Sequence, residues 1–109
     1  MHNDATILRL LDTLMLALDI DASRKAFDLL VEIAGYLIDA GETEQAAQVL
    51  AFVQTQPNVS RLTAALTAQL LMTLEEEICP RAILDARDFA QHASFEDVIQ
   101  GIVETTHSG

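Results

Sequence analysis

The sequence is poor in aromatic residues and in turn formers. Its 109 residues include four Phe, one Tyr and no Trp, with only four Gly and two Pro. So few Gly and Pro exclude an all-β domain, which needs a turn between each pair of short strands. Half of the residues are hydrophobic, and most of these are Ala and Leu, which favour helices. The composition predicts a single all-α domain over residues 1–109.

Basic residues are also scarce. Six Lys and Arg stand against seventeen Asp and Glu, which gives a formal net charge of -11. Nucleic acids and anionic membrane surfaces are both bound through Lys and Arg, so we expect neither partner. The acidity fits a basic protein partner or, alternatively, a solvated surface with no specific partner.

The sequence contains one cysteine, Cys79, which excludes an intrachain disulfide and suits a reducing compartment. Residues 1–4 carry no Lys or Arg, so we expect no secretory signal. The apolar run at residues 14–18, which is as long as any in the sequence, is far shorter than the ~20 residues of a membrane span. These features predict a cytoplasmic protein.

Apolar residues recur with a helical period along most of the chain, and the interruptions carry capping or breaking residues. Gly41 is suited to close one helix and Pro57 to end the next. Ser94 to Asp97 resembles a capping box. Short connections predict antiparallel neighbours. Six helices are predicted, over residues 4–18, 22–40, 42–55, 60–78 and 80–92 and from residue 94 onward.

Two apolar features have alternative interpretations. Leu62, Leu66, Leu70 and Leu74 repeat every four residues in the fourth predicted helix. We interpret this row as core, with a seam for a partner helix as the alternative. Leu16 lies opposite the apolar stripe of the first predicted helix, so we expect it to be exposed.

Residues 30–57 read LVEIAGYLIDAGETEQAAQVLAFVQTQP. This segment resembles a tetratricopeptide repeat, a helix-turn-helix unit of about 34 residues. Ala34 and Ala46 match its small buried positions, Gly41 matches its turn, and Pro57 lies within one residue of its closing proline. The resemblance implies stacked antiparallel helical hairpins, arranged either as a short right-handed solenoid or as a compact bundle.

A second resemblance covers roughly the last 60 residues. The order of Thr73-Leu74-Glu75, Ala86-Arg87 and Ser94-Phe95-Glu96-Asp97-Val98-Ile99 is similar to the C-terminal tail of certain large bacterial regulators. These are signal-transduction ATPases and LuxR-type transcriptional regulators with tetratricopeptide arms. The resemblance implies a sensor or scaffold arm of a bacterial regulatory system, without catalytic residues.

We recognise no combination of acid, base, nucleophile and phosphate-binding loop, so we predict no enzyme activity, no cofactor and no metal. His2, His92 and His107 are never three or four residues apart, as a helical metal pair requires. Cys79 is expected to be buried or to cap the helix that follows it.

We therefore expect a non-catalytic module that binds a protein or peptide, which could be basic. A concave face of the first, second and fourth predicted helices would hold it. The alternative is a self-associating structural protein, either a homodimer or a small accessory subunit of a larger complex. The candidate contact residues are Arg24, Lys25, Asp28 and Glu32 on the second helix and Arg61 on the fourth. Glu75, Glu76 and Glu77 form either an acidic docking patch or a solvated helix end.

Overall fold

The computed structural model describes residues 2–19, 23–57 and 59–108, and the side chains of residues 8–16, 25–57 and 59–104. The described residues form helices and connections, with no strand among them, so the all-α prediction is confirmed. Each predicted helix matches an observed one to within two residues at its ends. The six helices described are α1 (His2–Asp19), α2 (Ser23–Asp39), α3 (Thr43–Gln54), α4 (Arg61–Glu77), α5 (Pro80–His92) and α6 (Phe95–Ser108).

The helix ends follow local capping chemistry. Gly41 has a φ of 86°, a left-handed conformation that glycine adopts without a steric penalty. The Ser60 hydroxyl accepts a hydrogen bond from the Thr63 backbone N–H at 3.2 Å and caps α4. Ser94 and Asp97 exchange hydrogen bonds, side chain to backbone, at 3.0 and 3.3 Å. The predicted capping box is therefore present.

Helix α3 lies at the centre of the fold. It packs against α2, α4, α5 and α6, while α1 packs against both α2 and α6. A solenoid would place each hairpin against its neighbours in sequence alone, whereas α1 and α6 come from opposite ends of the described chain. Of the two predicted arrangements, these contacts describe the compact bundle. The radius of gyration, 12.7 Å, is close to the ~13 Å expected of a compact chain of this length.

Helix α4 turns a different side to the core than predicted. Its buried residues are Thr63, Thr67, Leu71 and Leu74, so the core prediction was wrong for Leu62 and Leu66, which are exposed. The reason is geometric. An α-helix turns 100° per residue, so each four-residue step rotates the row by about 40°. Leu62 therefore lies about 120° away from the fully buried Leu74.

The prediction for Cys79 was also wrong. Its thiol is exposed, and although the residue occupies the N-cap position of α5, its side chain makes no capping hydrogen bond. The connection between α4 and α5 packs instead through Ile78, which lies partly buried against the core.

Two further observations concern apolar surface. Leu16 is exposed, as predicted. Within the part of the chain that the structure describes, no helix combines the length and the apolar content that crossing a bilayer requires.

Candidate interaction groove between α2 and α4

A groove runs along the line where α2 faces α4. It consists of two clefts, with volumes of ≈ 550 Å³ and ≈ 490 Å³. Val31, Glu32 and Leu70 line both clefts, so the two form one continuous depression. We refer to it as the α2–α4 groove.

The α2 side of this groove carries three carboxylates, which alternate with Val31, Tyr36 and Ile38. Asp28, Glu32, Gly35 and Asp39 line it at spacings of four, three and four residues, which places them on one face of the helix. The three carboxylates are exposed, and the line from Asp28 to Asp39 is about 16 Å long at 1.5 Å per residue. Apart from the adjacent residues and the local backbone of α2, no atom lies within 4 Å of the position that a Cβ at Gly35 would occupy. The acidic wall thus has an opening between Glu32 and Asp39.

The α4 side of the groove combines three leucines with uncharged polar residues. Leu62 and Leu66, which are 72% and 45% exposed, line it together with the half-buried Leu70. Gln69 and Thr73 add uncharged polar groups. The lining residues that the structure describes include no Lys or Arg. The charged lining residues therefore all lie on α2, and they face an uncharged α4 wall that includes three leucines.

A short series of hydrogen bonds fixes one end of the groove. The Ser60 hydroxyl donates to Thr63 Oγ1 at 2.9 Å, and the Thr63 hydroxyl donates to Asp28 Oδ1. These bonds connect the first turn of α4 to α2 and orient the Asp28 carboxylate. The buried Thr67 hydroxyl donates to the Thr63 carbonyl at 2.7 Å, which satisfies it within its own helix. Both threonines can therefore occupy positions that leucine would ordinarily fill.

The predicted contact residues do not all meet in this groove. Asp28 and Glu32 line it, whereas Lys25 and Arg61 are exposed outside its lining. The side chain of Arg24 lies outside the described residues. Sequence reasoning missed the groove positions of Asp39 and Gly35 and the exposure of the two leucines. The helical spacing from Asp28 to Asp39 was the available signal.

The acidic run at the end of α4 lies away from the groove. Glu75 accepts a 2.9 Å hydrogen bond from the Arg87 guanidinium on α5. Glu76 and Glu77 are exposed. Consecutive helical residues point about 100° apart, so the three carboxylates do not converge on one point. The docking patch and the solvated helix end both stay predictions for these residues.

The side chains of the groove are suited to non-covalent contacts with a partner. Its carboxylates can accept charged hydrogen bonds, and its leucines can cover an apolar surface. The hydroxyl of Ser60 donates to Thr63, and no histidine lies among the described lining residues. Among the side chains that the structure describes, no three of His, Cys, Asp and Glu are grouped so that they could hold a metal ion.

Comparisons with known proteins found no matching family model, no matching curated protein and no matching solved structure. Residues 30–57 do form a helical hairpin, since α2 packs against α3 across the turn at Gly41. Their relationship to tetratricopeptide repeats, like that of the C-terminal half to regulator tails, stays a prediction.

Proposed function

We propose that this protein is a non-catalytic interaction module that binds a protein or peptide partner in the α2–α4 groove. One observation carries the proposal: α4 buries two threonines and exposes two leucines on the wall of a groove. Apolar surface beside a polar rim is typical of interaction sites. If α4 served only to cover the core, leucine would stabilise the positions of Thr63 and Thr67 through greater apolar burial.

Charge supports a basic partner. The chain has a net charge of -11, and three carboxylates line one wall of the groove. Complementary charge raises the rate of association and selects among partners. The resemblance to regulator tails supports a role as scaffold or sensor arm of a bacterial regulatory system, and the single cysteine supports a cytoplasmic location.

A displayed library of random 16-residue peptides, selected on the immobilised protein, tests this proposal. Selected peptides are then measured on the wild type, on Leu66→Glu in the groove and on Leu84→Glu. Leu84 is 62% exposed on α5 and does not line the groove. We expect Leu66→Glu to weaken binding at least about tenfold, or about 1.4 kcal/mol, and Leu84→Glu to leave it within about twofold. Enriched peptides that are indifferent to Leu66→Glu, or no enrichment at all, would contradict the proposal.

Self-association is a second candidate function, and α1 is the observation that favours it. Leu8, Met15 and Leu16 are all exposed on this helix, away from the groove lining. A second copy that paired through α1 would cover them. Light scattering over a hundredfold range of concentration tests this candidate. A mass that stays at that of one chain counts against it, and a dimer that Leu16→Glu dissociates supports it.

A further inference from the structure

We infer that the occupant of the α2–α4 groove is a cationic amphipathic helix of about three turns. This inference rests on the proposed function, because it names the partner chemistry of that same groove. Three features of the groove support it: the charge of the α2 wall, the absence of a backbone edge in the lining helices, and the length and opening of the groove.

The charge of the partner follows from the acidic wall. Asp28, Glu32 and Asp39 are exposed along one face of α2. A partner that covered them with apolar or acidic groups would leave carboxylates desolvated and unpaired, which is costly. Lys or Arg at matching positions gives charge-assisted hydrogen bonds instead. A second copy of this chain is a poor occupant, since it brings its own net charge of -11.

The helical form of the partner follows from what the groove lacks. Both walls are helices, whose interior backbone groups are already hydrogen-bonded, so the groove has no sheet edge to which a strand could add. An extended peptide lying against Leu62 and Leu66 would leave backbone N–H and C=O groups unpaired on an apolar surface. A helix satisfies its own backbone groups and presents only side chains. It can therefore lie between two helices at the usual spacing of 8–10 Å.

The dimensions fit such a helix. The acidic line spans about 16 Å, which corresponds to about three helical turns. Leu62, Leu66 and Leu70 line the facing wall over about 12 Å of α4. Gly35 and Leu70 line the same cleft, the second of the two. The opening at Gly35 leaves room for one large side chain of the partner to pass the acidic wall and reach that leucine.

The peptides that depend on Leu66 in the library selection decide this inference. We expect them to carry Lys or Arg on one side and large apolar residues at i, i+4 and i+7 on the other. Bound to the wild type, they should be helical by NMR, and a central proline should weaken them at least about tenfold. Groove-dependent peptides that are acidic, or that bind in an extended form, would overturn this inference and leave the proposed function intact. If no peptide depends on Leu66, both fail.

Two charge-matched protein variants separate local pairing from overall attraction. Glu32→Lys/Asp39→Lys and Asp12→Lys/Asp88→Lys each raise the net charge by four, but only the first pair lines the groove. At about 0.15 M salt, where the Debye length is ~8 Å, we expect the groove variant to lose at least about tenfold in affinity. The control should lose less than about threefold. Equal losses in both variants would overturn the inference, provided that circular dichroism shows both to be folded.

Discussion

Helices α3 and α4 have similar apolar compositions but opposite placements in the fold. In α3, the buried residues are Ala46, Ala47, Val49, Leu50, Ala51, Phe52 and Val53, which surround the helix as expected for one at the centre of a bundle. In α4, only Thr63, Thr67, Leu71 and Leu74 are buried. The apolar residues of α3 therefore stabilise the fold, whereas two leucines of α4 are exposed and available for contact with a partner.

Alanine substitutions at one leucine of each helix should give the largest difference. Leu50 is fully buried in α3 and Leu62 is 72% exposed in α4. We expect Leu50→Ala to lower the free energy of unfolding by about 2–5 kcal/mol, because it removes apolar contacts and leaves a cavity. Leu62→Ala should change it by less than about 0.5 kcal/mol. Urea denaturation followed by circular dichroism measures both values.

The same pair of substitutions can break the comparison. If Leu62→Ala costs as much as Leu50→Ala, the outer face of α4 is buried in solution, for instance in a self-associated form. Repeating the denaturation at several protein concentrations distinguishes that case, because the stability of a dimer rises with concentration.

Replacing each of the two buried threonines of α4 by valine should change the free energy of unfolding by amounts that differ by about 1 kcal/mol. Thr63 donates to the Asp28 carboxylate on another helix, whereas Thr67 donates to a carbonyl of its own helix. We expect Thr63→Val to lower the free energy of unfolding by about 1 kcal/mol, because the bond to a charged group is lost. Thr67→Val should be neutral within about 0.5 kcal/mol, since the carbonyl keeps its backbone partner. Urea denaturation measures both variants.

A double-mutant cycle checks the cause of the Thr63 effect. Asp28→Ala removes the acceptor, so Thr63→Val should cost little in that background. If Thr63→Val remains equally costly without Asp28, the loss comes from packing, and the anchoring of α4 to α2 is weaker than the hydrogen bonds suggest.

Sequence reasoning was sufficient for the helices because the information on their ends is local. Gly41 and the Ser94–Asp97 capping box act within a few residues, so the boundaries could be predicted without knowing the packing. The buried side of α4 could not be predicted in the same way, because a row of leucines at four-residue spacing rotates around the helix axis. Which part of that row meets the core depends on where α2 and α3 lie. Two carboxylates of the groove were predicted from their helix, but the groove itself exists only once α4 is placed.

Alanine substitutions at Gly35 and Gly41 should have opposite effects on stability. At both Gly35 and Gly41, no atom beyond the adjacent residues and the local helix backbone lies within 4 Å of the place that a Cβ would take, but only Gly41 has a positive φ. We expect Gly41→Ala to cost about 1–2 kcal/mol from backbone strain. Gly35→Ala should raise the free energy of unfolding by about 0.5–1 kcal/mol, because alanine favours the helix interior. Thermal denaturation measures both effects.

Gly35→Ala also bears on the groove. If a partner side chain passes through the opening at Gly35, the more stable variant should bind groove-dependent peptides more weakly than the wild type. Unchanged affinity in the stabilised variant would mean that the opening is not used, although the leucine wall could still bind.

The smallest effect concerns the other end of α4, where Glu75 pairs with Arg87 at 2.9 Å, with side chains 42% and 50% exposed. Exposed pairs contribute about 0.2–1 kcal/mol, and a carboxylate near a helix C-terminus opposes the helix dipole. Glu76→Gln, the exposed control, should therefore raise the free energy of unfolding by a few tenths of a kcal/mol. Glu75→Gln also removes the unfavourable interaction with the helix dipole, but it breaks the ion pair with Arg87. We therefore expect its net effect on the free energy of unfolding to be near zero. The difference between the free energies of unfolding of the two variants measures the contribution of the ion pair. This difference should become smaller in about 1 M salt. If the free energies of unfolding of the two variants differ by more than about 1 kcal/mol, the ion pair stabilises this end of α4 as much as the Thr63 hydrogen bond stabilises the other end. Helix α4 would then differ from α3 only in its exposed apolar face.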